Sequence, residues 1–207
     1  MLKRAFDLAA ASAVLTLIAP FLALIYLAVR AGSPGPGVFR QVRVGRRGKD
    51  FVLYKFRTMT VRRGSESGSF DAGDGSRVTR LGRVLRATKI DELPQLWNVA
   101  RGDMSLVGPR PEVRVWVEAY PERWAEILSV RPGVTDPAAI LYRHEETLLA
   151  ASPDPEATYR DQILPHKLGI YETYVRTRSF TADLTILWKT ALAVLGFGAK
   201  TAHRSDG

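Results

Sequence analysis

The chain has 207 residues, 46% hydrophobic and 25% charged, a balance that supports a folded core and excludes a disordered polyelectrolyte. It contains no cysteine, which excludes disulfides and thiolate metal sites and fits a cytosolic setting. The net charge of +9 suits either nucleic acid or an anionic membrane, but residues 1–63 carry 12 Lys and Arg against only Asp7 and Asp50, with the rest close to neutral. Basic charge concentrated beside an apolar run favours lipid headgroups over nucleic acid.

That run, residues 8–29, has no charged side chain. As a helix it would be roughly 33 Å long, enough to cross a bilayer. A cleaved signal peptide fits less well, because the apolar stretch exceeds the usual signal length. Lys3 and Arg4 precede the run, while Arg30, Arg40, Arg43, Arg46, Arg47 and Lys49 follow it. Both flanks therefore look cytoplasmic by the positive-inside rule. Pro20 lies near the middle, where proline bends or breaks a helix. A re-entrant hairpin broken at Pro20 and a full span are both compatible with these features.

Gly32-Ser33-Pro34-Gly35-Pro36-Gly37 ends the helix. Residues 38–44 and 51–56 read as strands joined by a turn-rich connection, a small β-hairpin. Residues 62–76, rich in Gly, Ser and Asp, read as a loop. Helices are predicted over 77–88, from Asp91 to a stop at Gly102, over 112–130 with an interruption at Pro121, over 161–175 and over 181–195. Pro94 is tolerable in the second of these only in its first turn. The final stripe of Ile186, Leu187, Trp188, Leu192 and Leu195 suits a membrane surface or a core equally. The fold class is α+β and mainly helical. Residues 1–31 form the membrane segment, 32–200 a domain at its surface with several amphipathic or interfacial helices, and 201–207 a polar tail.

Asp91 and Glu92 sit at a helix start, where acids have a structural explanation as caps and dipole partners. Their neighbours point to phosphate chemistry instead. Free N–H groups at a helix start bind phosphate, and Arg77, Arg80, Arg83, Arg86 and Lys89 recur just upstream. Such a series winds around a helix, so only Arg86 and Lys89 are expected near the acids. Arg110, held between Pro109 and Pro111, has the restricted backbone of a phosphate clamp or of a surface turn. Lys55 and Arg57, at a strand end, are either site residues or outward-facing. A carboxylate can attack phosphorus only where nearby cations offset the repulsion, and this set would supply them. No Walker loop, dinucleotide fingerprint or Gly-x-Ser-x-Gly elbow is present, and His144, His166 and His203 lack metal-ligand spacing. Asp154-Pro155-Glu156 lies in a proline-rich loop and is discounted.

The ordered motifs Lys3-Arg4-Ala5-Phe6-Asp7, Ser33-Pro34-Gly35-Pro36, Phe39 to Gly48, Lys55-Phe56-Arg57-Thr58-Met59 and Leu85-Arg86 continue into Asp91-Glu92-Leu93-Pro94-Gln95-Leu96-Trp97-Asn98-Val99. Gly102-Asp103-Met104-Ser105-Leu106-Val107-Gly108-Pro109-Arg110-Pro111 and Arg131-Pro132-Gly133-Val134-Thr135 complete the set. Together they resemble the bacterial sugar transferases, or monotopic phosphoglycosyl transferases, in a minimal catalytic form. Asp136-Pro137 departs from the Gly and apolar or aromatic pair of many relatives.

The resemblance implies transfer of a sugar-1-phosphate from a UDP-sugar to undecaprenyl phosphate or another polyprenol phosphate. UMP would be released, with Mg²⁺ as cofactor. It implies a ping-pong mechanism in which Asp91 is the nucleophile and Glu92 assists the lipid phosphate. Asp91 and Glu92 would also be the metal ligands. Lys55, Arg57, Arg86, Arg110 and Arg143 would bind substrate phosphate, and Asp183 is a further candidate. The reaction would begin exopolysaccharide, capsule, O-antigen or glycoprotein glycan assembly. It would take place on the cytoplasmic face of the bacterial inner membrane, with the re-entrant form of the anchor. Exposed apolar segments permit a homodimer, and no nucleic-acid partner is expected. A lipid-binding scaffold and a conventional glycosyl transferase, which would release UDP, are the alternatives.

Overall fold

The computed structural model describes residues 2–61, 76–143 and 145–194; the loop expected over 62–76 lies almost wholly outside them. Helix α1, Leu2–Gly32, is continuous, with Pro20 inside it. The expected break at Pro20 is therefore absent from the helical run. Ala11, Leu15 and Ile18 pack in one apolar cluster with Leu53, Leu96, Val99 and Met104. Leu22, Ile25, Tyr26 and Val29 pack in a second with Phe56, Leu81 and Leu85. Contacts on both sides of Pro20 offset the roughly 3 kcal/mol that an interior proline costs a helix. These docked positions recur every three or four residues. Leu17, Leu24 and Leu27, interleaved with them, stay exposed at 81%, 66% and 60%.

Both ends of α1 are tied down. Arg4 donates to the Met104 and Val99 carbonyls, each at 3.0 Å. Buried Asp7 accepts from Ser105 Oγ at 2.8 Å. At the other end the Arg57 guanidinium donates to Val29 O, Ser33 O, Ser33 Oγ and Pro34 O. This crossing needs glycine at position 35, whose φ is +117° and where a Cβ would stand 2.3 Å from Arg57 Nη1.

Strands β1, Val38–Val44, and β2, Asp50–Phe56, form the expected antiparallel hairpin, with Val38 opposite Phe56 and Val44 opposite Asp50. Helix α2, Arg80–Ala87, begins later than predicted because Thr79 caps it, accepting from Gly82 N at 2.9 Å. Lys89 then reverses the chain in the left-handed region, φ +58°. The single helix expected from Asp91 to Gly102 is divided into a 3₁₀ turn, Ile90–Glu92, and α3, Gln95–Arg101. Pro94 is the reason: it cannot bond the Ile90 carbonyl, which accepts from Leu93 N at 3.2 Å instead. Gly102 stops α3 at φ +101°.

Asn98 docks α3 on β2. Its Oδ1 accepts from Tyr54 N at 3.2 Å and its Nδ2 donates to Val52 O at 2.7 Å, completing the β2 edge that β1 leaves open. Its own carbonyl accepts from Gly102, Asp103 and Met104. Strands β3, Ser105–Val107, and β4, Gly133–Thr135, form a short parallel pair that the sequence reading did not foresee. Three residues per strand are too few to show a period. Between them lie α4, Arg114–Ala119, and α5, Pro121–Ile127, the predicted helices on either side of Tyr120.

After β4 come three short helices, α6, Pro137–Leu141, α7, Glu145–Ala150, and α8, Pro155–Thr158. A π-turn, Tyr159–Ile163, leads into α9, Leu164–Thr177. The largest core forms where Trp116, Trp124, Ile127, Leu164, Leu168 and Tyr171 meet. Helix α10, Phe180–Val194, divides the predicted stripe: Ile186 and Leu187 pack on Val107, Tyr174 and Val175, while Trp188 is 66% exposed.

Replacing Asn98 with Ala leaves Tyr54 N and Val52 O unpaired against α3. The expected loss is about 2–4 kcal/mol of stability, measured by denaturation in detergent. A loss under about 0.5 kcal/mol would show that α3 is docked by apolar packing alone.

Candidate active site

Two distant chain segments converge on Glu92. Lys55 reaches it from β2, with Nζ 2.9 Å from Oε1. Arg110, in the proline-rich connection after β3, approaches side-on: Nη2 lies 2.5 Å from Oε1 and Nη1 3.2 Å from Oε2. Arg110 owes its position to the β3–β4 pair. Gly108 N donates to Thr135 O at 3.1 Å and Gly133 N to Pro109 O at 2.9 Å. The strands approach so closely that a Cβ on Gly133 would stand 2.1 Å from Gly108 N.

Beside Glu92, Asp91 is 7% exposed, and its buried Oδ1 has no hydrogen-bond partner among the described residues. The two adjacent acids thus have opposite environments. Burial alone would push Glu92 up, but Arg110 and Lys55 outweigh it and hold the carboxyl well below the usual range. Burial pushes Asp91 up and the Glu92 charge adds to the effect, against the pull of Lys55, Lys89 and Arg110. Burial lowers Lys55 despite Glu92, while Glu92 raises Arg110. The result is a neutralised anion, Glu92, beside a carboxylate with an uncommitted oxygen. That pairing suits attack on an anionic centre.

The structure thus brings together Asp91, Glu92, Lys55 and Arg110, and puts the other candidates elsewhere. Arg57 is spent on the end of α1. Arg86 donates from Nε to Thr58 Oγ1 at 2.9 Å and pairs through Nη1 with Glu146. Asp183 is 4% exposed, pairs with Lys3 and accepts from the Tyr174 hydroxyl at 2.8 Å, joining α1 to α10. Arg143, half-buried after α6, makes no ion pair with a described acid. In sequence Asp136 is only a departure from a motif; in the fold it is 1% exposed and close enough to act on Arg110. An Asp-Pro pair signals a helix cap, and nothing local reveals its effect on Arg110. No group of three or more metal-ligating side chains occurs among the described residues. A metal here would have Asp91 and Glu92 alone, and the Glu92 oxygens already face cations.

The family model described as bacterial sugar transferase matches residues 1–197. An uncharacterized sugar transferase of Bacillus subtilis, EpsL, is 45% identical over 94% of this chain and 88% of its own length. The UDP-glucose:undecaprenyl-phosphate glucose-1-phosphate transferase of Caulobacter vibrioides is 40% identical over 93% of this chain and 69% of its own. The UDP-N-acetylgalactosamine-undecaprenyl-phosphate N-acetylgalactosaminephosphotransferase of Aeromonas hydrophila is 36% identical over 96% of this chain, which spans only 45% of that protein. With nearly its whole length matched, the chain belongs to the bacterial sugar transferase family.

Proposed function

We propose that this enzyme transfers a sugar-1-phosphate from a UDP-sugar to undecaprenyl phosphate, releasing UMP. The observation that carries the reading is the uncommitted, buried Asp91 Oδ1 beside a Glu92 already neutralised by Lys55 and Arg110. The names of the Caulobacter and Aeromonas relatives support the same donor and acceptor classes.

In the first half-reaction an Asp91 oxygen attacks the phosphorus that carries the sugar. The bond from that phosphorus to the bridging oxygen breaks, and UMP departs with the oxygen. In the second, an oxygen of the lipid phosphate attacks the same phosphorus and displaces Asp91, giving a polyprenol diphosphate sugar. Lys55 and Arg110 offset the charge gathered at phosphorus. Glu92, held ionised by both cations, orients them; its depressed pKa makes it a poor proton acceptor near neutrality. The donor set fits Mg²⁺ in one way: an unpartnered Asp91 oxygen with Glu92 adjacent suits an ion held chiefly by substrate phosphates and water. Such an ion would neutralise the diphosphate and stabilise the leaving UMP.

The anchor is read as re-entrant, bending at Pro20 without leaving the helix, with the catalytic domain on the cytoplasmic face of the inner membrane. Support comes from α1 being tied to the same domain at Arg4 and Asp7 and again at Val29 and Ser33. The exposed Leu17 and Leu24 between them are then the lipid-facing positions.

Nucleotide release with Mg²⁺, undecaprenyl phosphate and a panel of UDP-sugars tests the reaction. UMP is expected, whereas UDP would mean direct glycosyl transfer. Asp91→Asn is expected to lower turnover at least 10³-fold, roughly the scale on which a covalent nucleophile matters, while sparing membrane association. Robust activity in that variant would remove Asp91 from the nucleophile role. Because Asp91 must be ionised to attack and its pKa is raised, UMP release should fall as pH drops through a limb above the ordinary Asp value of about 4. A flat profile down to that value would contradict the buried carboxylate. For the anchor, the absence of native cysteine lets single Leu2→Cys and Gly32→Cys variants report cleanly. Both should label from the cytoplasmic side only, and opposite-side labelling would establish a full span.

A further inference from the structure

Near Arg110 lies a buried acid that the mechanism above does not use. Asp136 follows β4 directly, and the β3–β4 pairing sets it beside the Pro109-Arg110 segment. Its Oδ1 caps α6, accepting from Ala139 N at 2.9 Å, but its buried Oδ2 has no hydrogen-bond partner among the described residues. The charged and titratable groups that face it are Arg110 from the β3–α4 connection and Lys167 and Tyr171 from α9. Helix α6 offers only backbone N–H groups. Lys167 is already paired with Glu145 and lies over the Tyr142 and Tyr159 rings, 5.4 and 5.3 Å from their centroids. Glu112, next along that layer, accepts from Arg43 and from the Tyr159 hydroxyl.

Arg110 therefore clasps one acid, Glu92, and feels the charge of a second, Asp136, which keeps an oxygen free. A cap needs only one carboxylate oxygen, and Asn or Ser would serve as well. The spare buried oxygen makes no hydrogen bond, and the attraction of Arg110 and Lys167 only partly offsets its desolvation. Burial pushes the Asp136 carboxyl up to about 6, within reach of a proton under ordinary conditions.

We infer that Asp136 is a positioning residue of the phosphate site: its free Oδ2 takes up a solvent proton when an anionic phosphate reaches Arg110, so that Arg110 meets the phosphate with one negative charge fewer nearby. The inference rests on the reading that Arg110 receives substrate phosphate. No covalent bond forms or breaks; one proton passes from solvent to carboxylate on binding and returns on release. The sign follows from linkage. Added negative charge raises the affinity of Asp136 for its proton, so the complex is favoured at low pH and weakened as pH rises past the range where the free protein has lost that proton. Product UMP would leave more readily on the alkaline side.

The test is UMP binding to the full chain in nanodiscs, in the non-turning-over Asp91→Asn background, with and without Asp136→Asn. The ionisation of UMP itself is common to both proteins and cancels in the ratio of their dissociation constants. That ratio should be near one below pH 6. By pH 8 the protein retaining Asp136 should bind more weakly, by about tenfold for each pKa unit through which UMP raises Asp136. Asp136→Ser, another neutral cap, should give the same ratio, which separates charge from side-chain shape. A ratio constant from pH 6 to 8, with all proteins folded, would overturn the inference and reduce Asp136 to a helix cap. Absence of UMP binding in every protein would instead refute the phosphate-site reading beneath it.

Discussion

The clasp of Glu92 by Lys55 and Arg110 is the interaction on which the rest of the site depends. It joins β2, the 3₁₀ turn and the connection after β3, segments 37 and 18 residues from Glu92 in sequence. A partly buried cluster of this kind contributes little net stability, because desolvation consumes most of the Coulombic gain. Its value is geometric. With both cations hydrogen-bonded to Glu92, the neighbouring Asp91 oxygen is left unpaired where Lys55 and Arg110 still partly offset the repulsion from Glu92. The same two cations answer for both acids, which is why adjacent carboxylates end with opposite protonation tendencies.

The scaffold makes that clasp possible by fixing each contributor separately. Asn98 sets α3 against the open edge of β2, so the turn carrying Glu92 meets the strand carrying Lys55 in one register. The facing glycines of β3 and β4 bring the Arg110 segment in from the other side. Near it, α9 supplies Lys167 and Tyr171, and the polar layer reaches Glu112 and Arg43. In this layer burial shifts the Asp136 and Tyr171 groups upward.

Helix α1 presents two apolar stripes with different fates. One stripe, through Ala11, Leu15, Ile18, Leu22, Ile25 and Val29, packs against protein. The alternate stripe, with Leu17, Leu24 and Leu27, stays bare. An unbroken apolar run hides this division, because both stripes are made of the same residue types. What separates them is the polar anchoring by Arg4, Asp7 and Arg57, which sets the rotation of the helix against the domain.

The β-hairpin, the α5 boundary at Pro121, and the start and end of α9 and α10 were legible to within a few residues. Turn residues and hydrophobic period are local signals, and these elements obey them. The helix expected from Asp91 failed locally at Pro94, where a missing N–H forced a 3₁₀ turn, and the three-residue β3 and β4 carried no period to read. At the site, residue types identified Asp91, Glu92, Lys55 and Arg110 as candidates for phosphate chemistry. They also suggested Arg57 and Arg86, and the family resemblance Asp183; the fold uses these three to cap α1, bridge to Glu146 and bind Lys3. Residue identity thus set which chemistry the chain could host, since charge and proline content travel with each residue. Packing set which cations face the acids and that Asp136 acts on Arg110. Those choices depend on burial and on distances across strands and helices far apart in the chain, and no local pattern encodes them.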